Sequence, residues 1–314
     1  MLAPKARGRL GEVLLEALRN EPASWHNVLD VAPEHADDLQ LCLWALYELH
    51  YRGFDDVSDA LEWHPGPLTL RHELELRFEA ELRERYRPRP LDGPFADALF
   101  SLVAHHEGPS LAAYVQRDAS VDHVLELLRM RSVYHLKESD PVAWVVPRLS
   151  TVPKAALMEL QFDEYGGGDP NKVHAQLFAR GLEACGLRSE YGAYLDEAPV
   201  EVLEQNNAMS LFGLHRRHRG AALGHLAAFE ATSSMPSRRL AQGLERLGLP
   251  AQMIAYYREH VEADAVHEQL AVRLICGALV DEDPALAEDV TFGAFTCLDL
   301  EARLATRVLG EWTT

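Results

Sequence analysis

Apolar residues recur along most of the chain at the three- and four-residue spacing of amphipathic helices, and no segment alternates convincingly in the manner of strands. The spacing predicts helices over 8–19, Asp37–Tyr51, Leu70–Tyr86, Phe95–His106, Leu111–Arg117 and Val121–Glu138, then over Pro153–Tyr165, 199–214, 217–231, 236–246, 250–278 and 284–308. The stretch Arg87-Pro88-Arg89-Pro90-Leu91-Asp92-Gly93-Pro94 cannot continue a helix. It divides an N-terminal helical region, residues 1–91, from a larger region, residues 92–314. Gly166-Gly167-Gly168 ends one helix, and Asp169-Pro170 supplies the N-cap and first residue expected for a helix carrying His174. The fold class is all-α, a helical bundle without an evident internal repeat.

Within the 250–278 segment, Met253, Tyr256, His260, Asp264, His267, Ala271 and Leu274 share one helical stripe, while Glu259, Glu262 and Gln269 lie off it. The stripe is otherwise apolar, so Asp264 must be paired or hold a metal. Other polar residues interrupt apolar faces in the same way. Glu230 extends the face of Leu223, Leu226 and Ala227. Glu164 precedes the three glycines and His174 follows them, and glycines permit the close backbone approach that brings both to one metal. Glu138 ends the helix containing Tyr134 and His135. Each has a bland alternative: a solvated Glu138 beside Ser139-Asp140, a surface Glu164, a core His174, a Glu230 reaching water. Their joint occurrence favours a metal site.

This set, Glu138, then Glu164-Tyr165-Gly166-x-Gly168 with His174, then Glu230, then His260-x3-Asp264-x2-His267, resembles the haem-oxygenase-like non-haem diiron oxidases and oxygenases, also called iron-containing redox enzymes. The resemblance implies a haem-oxygenase-like bundle with additional N-terminal helices. It implies one iron held by Glu164, His174, Glu230 and His267 and another by Glu138, Glu164, His260 and Asp264, with Glu164 bridging. Glu164, Glu230 and His267 are then the catalytic residues, the cofactors are two Fe(II) ions, and O2 is co-substrate. The implied chemistry passes through a peroxo-diiron intermediate to N-oxygenation, desaturation or oxidative C–C cleavage of a small-molecule substrate, with electrons from an external donor. Four carboxylates among these ligands carry a charge that two Fe(II) ions would neutralise; without metal they would repel one another.

Composition narrows the alternatives. The net charge of −19 argues against nucleic acid as partner. The four cysteines form no C-x-x-C pair, no apolar run is long enough for a membrane span, and a reduced cytoplasm is expected. Only one His has an acidic residue three positions before it, which disfavours a ferritin-like arrangement. His105-His106-Glu107 reads as a helix-terminal surface, and His215-Arg216-Arg217-His218-Arg219 as a solvated helix start. Two other functions compete with the diiron enzyme: a non-catalytic helical binding or scaffold protein, and a haem-binding protein of the same fold. The N-terminal helices would either cover the core or build a homodimer.

Overall fold

Every regular element among the described residues is helical. The computed structural model describes residues 1–22, 24–88 and 92–313, and for 262–265 the helical backbone alone. The proposed boundary therefore falls partly on residues 89–91, outside the described ones.

The N-terminal part contains α1 (Arg9–Asn20), α2 (His26–Leu29), α3 (Ala36–Glu48) and α4 (Pro65–Arg85). Next come α5 (Phe95–Ala104), α6 (Leu111–Arg117), α7 (Val121–His135), α8 (Asp140–Ala143) and α9 (Thr151–Glu164). The remainder comprises α10 (His174–Ala184), α11 (Val200–Leu214), α12 (Arg219–Arg246), α13 (Ala251–Gln269), α14 (Ala278–Glu282) and α15 (Ala287–Trp312).

Helix α3 is buried along nearly its whole length, from Asp38 to Glu48. A helix apolar on most sides needs neighbours on most sides, and α1, α4 and α11 provide them. The N-terminal helices thus share one hydrophobic cluster with the rest of the chain. Its axis is α12, packed between α13 and α15. A Cβ at Gly224 would strike the Val290 carbonyl, and one at Gly293 the Ala221 carbonyl, so this crossing of α12 and α15 depends on two bare backbones.

Several predicted boundaries move. The two helices expected over 217–231 and 236–246 are one, α12, with Pro236 inside it. Proline removes a single ladder bond, and packing on both flanks keeps the helix continuous, while the Thr232 and Ser233 hydroxyls bond carbonyls in the preceding turn. Helix α7 stops at His135, leaving Glu138 in the following turn. Helix α10 begins at His174 itself, because Asp169 Oδ1 accepts the Asn171 N–H in a local turn rather than capping a helix. After α13 the chain winds as a π-helix over Leu270–Gly277. The wider turn rotates the expected stripe, so Leu274 faces outward and is 50% exposed.

Candidate metal centre

Three helices and one turn converge behind α13. It presents His260 and His267; Glu230 comes from α12, Glu164 from the end of α9, His174 from the start of α10, and Glu138 from the turn after α7. Ligand-capable atoms of Glu138, His174 and His260 lie within 4.8 Å of one another, as do those of Glu164, Glu230 and His267. The two groups touch, since His174 Nδ1 is 2.9 Å from Glu164 Oε2. The division implied by the family pattern puts His174 with Glu164, Glu230 and His267; in the structure His174 Nδ1 is nearest Glu164 Oε2, at 2.9 Å, and it also groups with Glu138, at 3.8 Å, and His260. The side chain of Asp264 lies outside the described residues.

Local chemistry explains this convergence. Gly166, Gly167 and Gly168 all have positive φ, and a Cβ on Gly166 would run into the backbone of Lys172 and Val173. Only glycine lets the chain fold back that closely, which sets Glu164 and His174 side by side. The Ser139 hydroxyl donates to Glu164 Oε2 at 3.1 Å, and Gln161 Nε2 donates to the Ser139 carbonyl at 3.1 Å, tying the turn that holds Glu138 to α9. His260 Nδ1 lies 2.9 Å from the Tyr256 carbonyl, which turns Nε2 toward Glu138 Oε1 at 3.7 Å. Two residues position Glu138: Tyr256, already on the ligand stripe, and His135, to which the sequence assigned no role. His135 Nδ1 is 2.7 Å from Glu138 Oε2, and the Tyr256 hydroxyl is 2.8 Å from that same nitrogen. The signal for His135 was its place three residues before Glu138 at a helix end.

The electrostatics are those of a site short of positive charge. Burial pushes the Glu230 carboxyl up, and with the repulsion of neighbouring Glu164 it outweighs the lowering by His267. Burial pulls His267 down, but Glu230, Glu164 and Asp163 outweigh it and raise its pKa to about 9. Burial likewise raises Glu138, yet hydrogen bonds from His135 and His260 hold it below the usual carboxylate range. Among the described residues, the ion-pair partners of Glu138, Glu164 and Glu230 are histidines, with no Lys or Arg. Glu138 Oε1 and His174 Nδ1, 3.8 Å apart, are buried and make no well-directed hydrogen bond, although His260 Nε2 is 3.7 Å from the first and Glu164 Oε2 2.9 Å from the second. Two such atoms aimed at one space fit a cation between them, and the imidazole and carboxylate donors suit iron.

Other candidates settle elsewhere. Tyr165 is 39% exposed and donates to Asp140 Oδ1. His105, His106 and Glu107 are exposed. The basic run does lead into α12 with Arg216 and Arg217 exposed, but it is only partly solvated: His215 Nε2 lies 2.9 Å from Glu75 Oε2, Arg217 pairs with Glu79 at 2.6 Å, and His218 is buried between Glu79 and Asp289. Acidic residues on α4 and α15, distant in sequence, draw it inward. The four cysteines are free, and among the described residues no helix is long and apolar enough to cross a membrane.

No curated protein matches the chain. Among solved structures it is similar to a CADD-like protein of unknown function from Nostoc punctiforme, determined at 2.00 Å, with a TM-score of 0.54 and 16% identity over 74% of this chain and 98% of that one. A second structure of the Nostoc punctiforme protein, at 1.35 Å, gives a TM-score of 0.52 and 15% identity over 74% and 96% of the two chains. At such identities the likeness is one of fold. Residues 125–302, more than half of the chain and the span holding all six clustered side chains, match the family described as iron-containing redox enzyme, and the chain belongs to that haem-oxygenase-like family.

Proposed function

We propose that the chain is an O2-dependent oxidase or oxygenase holding two iron ions, one among Glu138, His174 and His260 and one among Glu164, Glu230 and His267. Asp264 would complete the first set, and Glu164 is placed to serve both. The observation that carries this reading is the pair of buried carboxylate–histidine groups with no Lys or Arg beside them among the described residues. A scaffold protein would pair such acids internally, and a haem pocket would leave them unexplained. When bound, two Fe(II) ions would supply the electrons that activate O2 for N-oxygenation, desaturation or oxidative C–C cleavage of a small molecule.

The protein's own groups prepare that chemistry. His267 must release a proton before its ring can ligate, and Asp163 Oδ2, 3.4 Å from Nε2 and 54% exposed, offers a route to solvent. Tyr256 and His135 hold one oxygen of Glu138, so that Oε1 is the one turned toward His174 and His260. Tyr134 and Phe229, with ring centroids 5.1 Å apart, cover the centre and limit water.

Metal analysis tests the reading. Metal-free full-length protein titrated with Fe(II) under anaerobic conditions should take up two irons per chain, and His267→Ala at most one. Subsequent mixing with O2 should give a transient visible band. Uptake of one iron or fewer, unchanged by His267→Ala, would overturn the proposal; a Soret band after haem addition would favour the haem-binding alternative.

A further inference from the structure

A cavity of about 320 Å³ opens beside the 106–110 loop and reaches inward along α7, α12 and α15. Its inner wall includes Tyr134, His135 and Phe229. Tyr134 and Phe229 also line a 30 Å³ void with Glu138 and His225, and a 20 Å³ void with Glu164, Glu230 and His260. All three spaces share that aromatic pair, so Tyr134 and Phe229 stand between the cavity and the carboxylate–histidine groups. We propose that the 320 Å³ cavity is the substrate site and takes an uncharged, largely apolar molecule bearing one hydrogen-bonding group. Calling that molecule a substrate rests on the iron chemistry proposed above; the ligand preference does not.

The preference follows from the walls. Leu111, Leu127, Met209, Leu240 and Leu298 make much of the surface apolar. The formal charges there cancel: Arg131 Nη1 donates to Glu301 Oε2 at 2.9 Å, Nη2 donates to Oε1, and Gln205 Nε2 donates to Oε2 at 2.9 Å. Burial pushes Glu301 up, but Arg131 outweighs it and keeps the carboxyl ionised. His225 is pulled down by burial to about 4 and is neutral near pH 7. An ionised ligand would lose its hydration and meet a wall without net charge, whereas a neutral one loses little. Hydroxyls of Thr232 and Ser233 are committed to helix carbonyls, so Ser237, Tyr257, the imidazoles of His106 and His225 and the edge of the Arg131–Glu301 pair are the groups that can meet a hydrogen-bonding group. The volume lies at the lower end of the range for small-molecule pockets, roughly 300 Å³ upward.

Displacement of the neutral dye N-phenylnaphthylamine by octanol, octanoate and octylammonium tests this on full-length protein, metal-free and iron-loaded. Octanol should displace the dye at about tenfold lower concentration than either ion. Ser237→Phe and Leu240→Trp, each checked for folding by circular dichroism, should weaken octanol about tenfold by filling the cavity. Glu301→Gln leaves Arg131 without its countercharge and should improve octanoate about tenfold relative to octanol. The proposal fails if either ion matches octanol in the unaltered chain, if the dye does not bind, or if both filling variants bind as before. Iron content is measured on the same samples. A chain that prefers octanol but holds no iron upholds the ligand preference and removes the iron reading; one that holds two irons and binds no probe does the reverse.

Discussion

Two regions of this molecule bury charge, and they do so differently. Where α3 and α4 meet the following helices, each buried acid has a permanent cation: Lys137 Nζ lies 3.3 Å from Glu48 Oε2, Arg71 Nε 3.2 Å from Glu75 Oε1, and Arg217 Nη2 2.6 Å from Glu79 Oε2. Tyr191 donates to Glu48, and the Lys137 ammonium sits 4.4 Å from the centre of the Tyr51 ring. Around α13, the ion-pair partners of Glu138, Glu164 and Glu230 among the described residues are histidines alone. The first region is electrically finished by the chain itself. The second relies on histidines, whose charge depends on protonation, and this is the contrast expected between a structural polar network and the metal site proposed above.

The contrast is sharpest in opposite mutations. Lys137→Met leaves Glu48 buried without a partner and should cost about 3–5 kcal/mol in urea unfolding. Glu230→Gln, which removes a carboxylate from an unbalanced site, should leave the metal-free protein as stable as before or more so while lowering iron uptake. Equal losses from both would erase the distinction. Next in size, Gly166→Ala forces a side chain at φ +74 against the Lys172–Val173 backbone and should destabilise by about 1–3 kcal/mol, loosening the link between Glu164 and His174. Normal stability and normal iron uptake in that variant would show that the glycine turn does not position the ligands.

The paired region also has its own pH signature. Burial lowers His218, but Asp289 and Glu79 outweigh it and raise its pKa, so its contribution is complete below the ordinary value near 6.5 and is lost as pH rises through the raised one. Burial raises Glu79, but bonds from His218, Arg217 and Arg83 hold it low, so its contribution is complete above about 4.3 and fades on acidification. Together they stabilise most between about pH 4.3 and 6.5. Unfolding free energies measured across pH should show a decline above that window which His218→Gln flattens; an unchanged slope would exclude His218 as its source. The smallest effect is expected from Tyr256→Phe, which removes a hydroxyl from His135 and Glu138 and should cost about 1 kcal/mol. It should perturb the spectrum of the iron-loaded protein more than its stability.

Much of the centre was legible because its residues break local rules. His260 and His267 sit on an apolar stripe, Glu230 prolongs an apolar face, and three successive glycines between Glu164 and His174 announce a tight return. The share that needed the fold involves contacts far apart along the chain. Nothing near Glu79 or Asp289 reveals that they flank His218, and nothing around Arg131 names Glu301 as its partner. Leu274 and Pro236 mislead for a different reason: a π turn and a packed proline helix both depart from the regular period that sequence reasoning assumes.

The π segment over Leu270–Gly277 also bears on how this chain tolerates changes in length. Within an ordinary helix, deleting one residue rotates everything beyond it by about 100° and would turn either the ligands or the core outward. Here the winding already holds a residue in excess, just past His267 and before Ile275 and Cys276 return to the core. A one-residue deletion at the exposed Leu274 would let the segment relax to α geometry, so the spacing behind the proposed metal centre is the place where this helix can absorb a lost codon.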